Sequence, residues 1–273
     1  MGNAVISFPG LGAWAVFDPV RFFSIFGLRI HFYGVFIALG LLLGGIYALR
    51  RAREFDLTQD NIYDFLFWSV PLAVVFSRIY FVLFSPDVGY FLRNPLRIFT
   101  DFRDGGVALY GAVIGAVLGA WICSRRKKLD LLSFLDVGAP ALLIGQAVGR
   151  WGNFINREVF GRATDLPWRM GLTTATETIY VHPTFLYESI WNVIGLLLLH
   201  RYSKQPGRAY RGQIFLFYLG WYGLGRTWIE LLREPAQNLF IFGTGIPISL
   251  LLAALSVVGA IVVNCVVLKR KRV

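Results

Sequence analysis

Long apolar stretches separated by short polar turns run through this chain. A helix needs about 20 mostly apolar residues to cross the hydrocarbon core of a bilayer. Seven stretches meet or nearly meet that length, at residues 30–49, 62–84, 106–124, 131–148, 185–200, 213–232 and 245–268. The pattern therefore predicts seven transmembrane helices. The fifth stretch is short and a basic turn alone separates the third from the fourth, so these boundaries stay open by several residues.

The composition supports this prediction. Of the 273 residues, 56% are hydrophobic and 16% are charged, whereas an ordinary globular chain has about 25% charged residues. This excludes disorder and disfavours a water-soluble domain. We expect an all-α polytopic membrane protein, with residues 1–273 forming a single integral-membrane domain. Segment 149–184 mixes turn residues with alternating polar and apolar positions, which predicts a small irregular or β-rich cap outside the membrane.

The distribution of Lys and Arg predicts the orientation. One side of the membrane receives the loops after the first, third and fifth stretches and the carboxyl-terminal tail, which together carry 15 of the 27 basic residues. The other side receives the amino-terminal segment and the remaining loops, which carry 10 basic residues over a length about three times as great. The amino terminus is therefore expected outside and the carboxyl terminus in the cytoplasm. The net charge of +11 then indicates cytoplasmic loops and contact with anionic membrane lipids rather than nucleic acid. The loops on the outer side are longer than the cytoplasmic ones, so we expect any site that is formed by loops to lie at the outer face.

Two arginines lie inside the predicted helices. An ionisable side chain there costs about 2.5 to 3.5 kcal/mol on insertion scales, so each needs a physical reason. Arg78 lies near the outer end of the second helix, and Arg226 lies in the sixth. Glu230 is four residues beyond Arg226 and therefore on the same helical face, where the two can pair. The pattern leaves two interpretations open, a structural ion pair and an anion-binding site.

The densest polar cluster directly follows the fourth apolar stretch. Residues 149–161 read GRWGNFINREVFG and supply Arg150, Asn153, Asn156 and Glu158 at the outer boundary. Glycines in this segment, Gly161 among them, allow tight turns and a close approach of the backbone to a ligand. A polar helix cap followed by a loop is the simpler interpretation. The number of arginines, amides and carboxylates in thirteen residues exceeds what a cap needs.

Two further clusters flank predicted helices at the same side. HPTFLYE, residues 182–188, opens the fifth helix, and His182 beside a proline is more often a structural hydrogen-bonding residue than a catalyst. HFYG places Tyr33 just inside the outer end of the first helix, where an aromatic-belt role is also possible. Arginines, tyrosines and amides at one depth suit capture of a phospholipid phosphate. The sequence contains no Ser-His-Asp order, HExxH or CxxC pattern, which disfavours a hydrolase or zinc mechanism.

These motifs resemble those of the prolipoprotein diacylglyceryl transferase family. The resemblance rests on GRWGNFINREVFG, HPTFLYE, DGGVALYG at residues 104–111, HFYG and residues 222–233, which follow the family's order along the chain. It implies a seven-helix enzyme that transfers the diacylglyceryl group of phosphatidylglycerol to the lipobox cysteine of bacterial prolipoproteins. The resemblance places this reaction at the outer face of the cytoplasmic membrane and implies no metal or redox cofactor. It also implies that Arg150 binds phosphatidylglycerol and that Arg150 and Arg226 are essential. The remaining positions that the resemblance marks are Tyr33, Asn153, Glu158, Gly161, Tyr222 and Glu230.

One position departs from the family pattern. Many relatives have a histidine, proposed as the general base, where this chain has Tyr110. Three alternatives stay open: Tyr110 accepts the proton, another group does so, or a dedicated base matters less. In the implied reaction the precursor thiol attacks a glycerol carbon while negative charge grows on the departing phosphate, and arginines stabilise such charge.

Two other functional classes compete with a transferase. A transporter or channel for an anionic solute would place polar residues through the full depth of the bundle, whereas the inner halves of these helices are almost purely apolar. A lipid-binding chaperone without catalytic activity could use the same polar lining, and an activity measurement separates it from an enzyme.

Overall fold

The computed structural model describes residues 4–26, 28–85, 87–100, 106, 108–205, 209–234 and 248–271, with the backbone alone at residues 28, 99, 100, 109, 110, 248, 270 and 271. The chain divides into two compact units, Met1–Ala48 with Asp136–Val273, and Leu49–Leu135. The expectation of a single domain over the whole chain stays a prediction.

Each of the seven predicted stretches carries a long helix. These helices are α1 (Phe32–Arg51), α2 (Gln59–Phe84), α5 (Leu109–Lys127), α6 (Leu131–Asn156), α7 (Thr184–Ser203), α8 (Gln213–Leu232) and α9 (Ile248–Lys271). Two short helices, α3 (Val88–Arg93) and α4 (Arg97–Thr100), follow α2. In the part of the chain that the structure describes, four helical segments are long and apolar enough to cross a membrane by length and composition, namely Phe32–Phe55, Gln59–Phe84, Leu131–Asn156 and Ser249–Lys269.

Helix α6 is longer than its apolar pattern predicts. The predicted segment ends at residue 148, but the helix continues to Asn156. Arg150, Asn153 and Asn156 therefore lie on the last two turns of a helix rather than in the loop after it, and Gly152 is helical rather than part of a turn. The prediction ended too early because hydropathy counts an arginine as a break, whereas an arginine paired with a carboxylate can remain inside a helix bundle.

The fold also contains strands, so the all-α prediction is incomplete. Strands β1 (Val5–Ser7), β2 (Val16–Phe17), β5 (Met170–Thr173) and β6 (Thr178–Val181) form one antiparallel sheet in the order β2-β1-β5-β6. Strands β3 (Phe22–Ile25) and β4 (Leu28–His31) pair as a separate hairpin that leads into α1. The β-rich structure predicted within 149–184 is present as β5 and β6. The amino-terminal strands that complete the sheet were not predicted.

The four-stranded sheet has its own small apolar core. Ile6 and Leu172 are fully buried, and they cluster with Val181 and with Phe185 of α7. Phe154, near the end of α6, packs against this cluster. The sheet is therefore attached to the same ends of α6 and α7 that carry the polar motifs.

Within the first unit, polar contacts hold α6, α7 and α8 in fixed register. The Asp136 carboxylate accepts hydrogen bonds from the backbone N–H groups of Gly212 and Phe215, at 2.8 and 3.0 Å, and so caps the start of α8. Trp191 and Trp221 stack with ring centroids 4.3 Å apart, and each indole N–H donates to the other residue's backbone carbonyl at 3.0 Å. The Asp136 contacts fix the start of α8 against α6, and the tryptophan pair fixes α8 against α7 near the middle of both helices.

In the second unit, α5 packs closely on α2 through a stripe of glycines. A Cβ atom at Gly111, Gly115 or Gly119 would overlap the backbone carbonyls of Phe76, Leu72 and Trp68. Small residues at every fourth position allow this close approach of the two helix backbones.

Candidate functional site

The ends of α6, α7 and α8 bring three arginines and three glutamates of the first unit into one network. Glu188, in the first turns of α7, is its centre: one carboxylate oxygen pairs with Arg150 of α6, and the other lies 3.2 Å from Nη1 of Arg226 on α8. The Glu188 side chain is only 5% exposed. A single buried carboxylate therefore holds two arginines from different helices next to each other.

A second carboxylate extends the network along α8. Arg226 Nη2 lies 2.6 Å from Glu230 Oε2, which confirms the pair predicted from their four-residue spacing. Arg233, just beyond the helix, lies 3.3 Å from the same oxygen, and the Ser249 hydroxyl donates to the other oxygen of Glu230 at 2.6 Å. Burial is the main cause that lowers the pKa of Arg233 from its usual value, and the neighbouring positive charge of Arg226 acts in the same direction.

Amide side chains continue the network in the opposite direction. Arg150 Nη1 donates to Asn153 Oδ1 at 3.3 Å, and Asn153 Nδ2 donates to Glu158 Oε1 at 2.9 Å. Asn156 Nδ2 also donates to that oxygen, at 3.3 Å. The chain leaves α6 through left-handed backbone at Arg157 (φ 54°), and this turn brings Glu158 back over the end of the helix. The four residues predicted from GRWGNFINREVFG thus lie in one hydrogen-bonded chain.

The network is balanced in charge but still has hydrogen-bonding capacity. Arg150, Arg226 and Arg233 face Glu158, Glu188 and Glu230, so no positive charge is in excess. A guanidinium has five N–H donors, and these pairs use only some of them. Within the described residues, the Nε groups of Arg150 and Arg226 have no protein partner, and Nε of Arg233 is buried without one. The site can therefore bind an anion through donors that the carboxylates orient but leave available.

The other predicted residues of this unit surround the network. Tyr33 packs directly on Gly152 and lies within electrostatic reach of Glu158 and Arg150. Tyr222 lines a small cavity together with Glu188 and Arg226. Gly161 lies against the ends of α7 and α8, where its N–H donates to the His182 carbonyl at 2.9 Å.

His182 makes contacts typical of a structural histidine. Its Nδ1 lies 3.3 Å from the Tyr187 hydroxyl, which also accepts a hydrogen bond from the Trp168 indole at 2.8 Å. Burial lowers the pKa of His182. Burial therefore disfavours a positive charge on its ring.

Arg78 and Tyr110 belong to the other compact unit. Arg78 is buried on α2 and donates to the backbone carbonyls of Ile98 and Gly106 at 2.7 and 2.9 Å, and it lies over the rings of Phe81 and Phe91. These contacts hold the segment before α5. Tyr110 lies in the first turn of α5, and its side chain lies outside the described residues. The roles predicted for both residues stay predictions.

The list of site residues predicted from sequence did not include Glu188 or Arg233. Both residues fall in motifs that the sequence analysis marked, HPTFLYE and residues 222–233. The available signal was a carboxylate inside an apolar stretch, which requires a partner. The spacing of four residues along one helix pairs Arg226 with Glu230, but it provides no partner for Arg150. That partner lies on another helix.

Comparisons with known proteins agree with these motifs. A family profile described as prolipoprotein diacylglyceryl transferase matches residues 20–266. Among similar proteins, one from Finegoldia magna is 41% identical over 78% of this chain and 83% of its own length, and one from Enterococcus faecalis is 37% identical over 91% and 90%. A third, from Acaryochloris marina, is 41% identical over 83% and 84%. All three are named phosphatidylglycerol–prolipoprotein diacylglyceryl transferase.

Proposed function

The chain belongs to the prolipoprotein diacylglyceryl transferase family, and on that premise we propose that it transfers the diacylglyceryl group of phosphatidylglycerol to bacterial prolipoproteins. The acceptor is the thiol of the lipobox cysteine. A carbon–sulfur bond forms, the bond between the glycerol carbon and the phosphate oxygen breaks, and glycerol phosphate leaves. The thiol loses its proton in the same transformation. The enzyme needs no metal or redox cofactor for this exchange.

Arg150 and Arg226 act on the leaving group. As the carbon–oxygen bond breaks, negative charge grows on the phosphate oxygens, and N–H donors aimed at that charge lower the barrier. The observation that carries this proposal is the bridge through Glu188, which holds both guanidinium groups together while each Nε has no protein partner in the described residues. Donors oriented before the reaction need no reorganisation when the charge develops.

The remaining residues support or complete the site. Asn153, Asn156 and Glu158 hold Arg150, and Glu230 holds Arg226. Tyr33, Gly161, His182 and Tyr222 form the surrounding wall, and Arg78 is assigned to the lipid-binding surface. Tyr110 occupies the position at which many relatives carry the proposed base, and we propose that its phenolate form accepts the thiol proton.

In the membrane, we propose that all seven long helices span the bilayer as one domain. The amino terminus lies outside and the carboxyl terminus lies in the cytoplasm, because the short basic loops belong to the cytoplasmic side. The four-stranded sheet then forms an extracytoplasmic cap beside the site, and the lipid substrate reaches the site from the outer leaflet. The surrounding membrane lipids are the other partners.

The test combines a reconstituted reaction with two variants. Purified protein is incubated with phosphatidylglycerol and a peptide containing a lipobox cysteine, and the thioether product is detected by mass. We expect Arg150→Ala and Arg226→Ala each to reduce transfer about 100-fold or more, the usual effect of losing a donor to developing charge. Arg169→Ala is the control, since Arg169 lies over the Tyr180 ring and donates to the carbonyls of Asp165 and Leu166 outside the network.

Thermal unfolding and gel filtration establish that each variant is folded. Normal turnover by either folded arginine variant would overturn the assignment of that arginine. Absence of product from the unaltered protein would overturn the proposed reaction itself.

A further inference from the structure

A second polar layer lies one helical turn further into the first unit than the ionic network. Gln146 is four residues before Arg150 on α6, Asn192 is four residues after Glu188 on α7, and Tyr222 is four residues before Arg226 on α8. Residues four apart lie on the same helical face, one turn or about 6 Å along the axis. Each of the three central charged residues thus has a polar neighbour at the same greater depth.

Direct contacts join these side chains into one layer. Gln146 Nε2 donates to the Tyr218 hydroxyl at 2.8 Å, which links α6 to α8. The rings of Tyr218 and Tyr222 stack with centroids 6.0 Å apart. Tyr222 and Asn192 line the same small cavity as Glu188 and Arg226. The polar layer of Gln146, Asn192, Tyr218 and Tyr222 therefore borders the ionic network on its inner side.

This polar layer has hydrogen-bonding capacity that the protein does not use. Gln146 adds no free donor to this layer, because its Nε2 is bonded to the Tyr218 hydroxyl and its buried Oε1 can only accept. Asn192 is only 3% exposed and lines the small cavity next to Glu188 and Arg226. Tyr218 accepts from Gln146 and keeps its own O–H to donate. A buried polar group without a partner costs about 1 to 3 kcal/mol, so the arrangement favours a polar ligand at this depth.

The layer ends abruptly on its inner side. The next residues inward on the same faces are Leu143 on α6, Gly195 and Leu196 on α7, and Ile214 on α8, and none of them has a polar side chain. A path for ions or water would need polar groups to continue past this point. The polar layer instead lies between an ionic layer and an apolar layer, which is the order of groups along a glycerophospholipid from phosphate through ester carbonyls to acyl chains.

We propose that the polar layer binds the ester carbonyls of the phospholipid whose phosphate meets Arg150 and Arg226, an inference that rests on the proposed function. Ester carbonyls only accept hydrogen bonds, and the Asn192 amide and the two tyrosine hydroxyls are donors. The ionic network then holds the leaving group while the polar layer holds the diacylglyceryl group that is transferred. The carbon under attack is fixed between the two, which is the positioning that displacement requires.

The experiment compares two lipids that differ only in these carbonyls. Ester-linked phosphatidylglycerol and its dialkyl ether analogue are offered separately with the same acceptor peptide, and kcat/KM is measured for each. The variants are Asn192→Leu, which keeps the branched shape of the side chain without its amide, and Tyr218→Phe, which removes only the hydroxyl group. Thr227→Val is the matched control, because its hydroxyl bonds only to the Gly223 carbonyl within α8.

We expect kcat/KM of the unaltered protein and of Thr227→Val to be about tenfold higher for the ester lipid than for the ether lipid. This factor corresponds to a total contribution of about 1.4 kcal/mol from the carbonyl hydrogen bonds. Asn192→Leu and Tyr218→Phe should reduce this preference to about twofold or less while still using the ether lipid. A merely structural effect would lower both rates equally and leave the preference intact. If Asn192→Leu does not fold, Tyr218→Phe decides the question.

Retention of the full ester preference in the folded variants would overturn this inference. So would an unaltered protein that uses both lipids equally, although the proposed function would stand. Transfer from neither lipid by the unaltered protein would contradict the proposed function itself, so the two failures are distinguishable.

Discussion

At the scale of single residues, the central feature is that Glu188 is shared by Arg150 and Arg226. Two arginines side by side within a bundle repel each other, and a carboxylate between them offsets both the repulsion and the cost of burial. The same carboxylate opposes binding of a phosphate nearby. Glu188 therefore orients the arginines at some cost in affinity for the anion, and these two effects can be measured separately.

We predict that Glu188→Gln lowers kcat for diacylglyceryl transfer about tenfold or more without raising KM for phosphatidylglycerol. The amide no longer holds the guanidinium groups as firmly, but it also removes a negative charge from beside the lipid phosphate. Glu177→Gln, in the exposed turn between β5 and β6, is the control for loss of a carboxylate. An unchanged kcat, or a KM that rises while kcat is kept, would contradict this role.

At the scale of elements, the site depends on how three helix ends meet the loop that follows α6. Gly161 lies where this loop passes between α7 and the end of α8, with backbone pairing to Arg233. A Cβ atom there would lie 2.6 Å from the Leu232 carbonyl oxygen and 2.6 Å from His182 Cβ. Glycine is required because the backbones approach so closely, and its φ is not in the left-handed region.

We predict that Gly161→Ala lowers the free energy of unfolding by about 1 to 3 kcal/mol, the usual cost of overpacking, and reduces transfer because the ends of α7 and α8 move apart. Thermal unfolding in detergent measures the first effect, and the peptide assay measures the second. Gly138→Ala on α6 is the matched control, since among the described residues no atom outside the local α6 backbone lies within 4 Å of a Cβ at that position. A Gly161→Ala protein as stable as the control would disprove the packing argument.

At the scale of the whole molecule, the proposed reaction requires the site to face outward. The acceptor cysteine belongs to a translocated precursor, so a site opening to the cytoplasm would not meet it. The proposal of an external amino terminus makes the turn between β5 and β6 external and the basic turn after α5 cytoplasmic. Thr176 lies in the first of these turns and Lys128 in the second.

We predict opposite labelling of single cysteines introduced at these two turns. In a background with Cys123 and Cys265 replaced by alanine, Thr176→Cys should react with a membrane-impermeant maleimide in intact spheroplasts. Lys128→Cys should react only after the membrane is permeabilised. Retained transferase activity shows that each variant is correctly inserted. The reverse labelling pattern in active protein would refute the proposed orientation.

Much of the architecture could be predicted from the sequence because it depends on local properties. An apolar stretch long enough for a bilayer forms a helix wherever it occurs, and α8 begins and ends at the predicted residues, 213 and 232. The Arg226–Glu230 pair follows from four-residue spacing within one helix. The family motifs are likewise short segments, and they identified most residues of the ionic network.

The tertiary structure alone decided which distant residues meet. Glu188 became the partner of Arg150 because α6 and α7 pack at these ends, and this pairing allows α6 to continue past the point where hydropathy alone ends it. Strand β1 joins β5 more than 160 residues away, and no local pattern specifies such a pairing. The polar layer of Gln146, Asn192, Tyr218 and Tyr222 consists of isolated polar residues on three helices. Its existence depends on helix packing, because hydrogen bonds and ion pairs act over distances in space rather than along the chain.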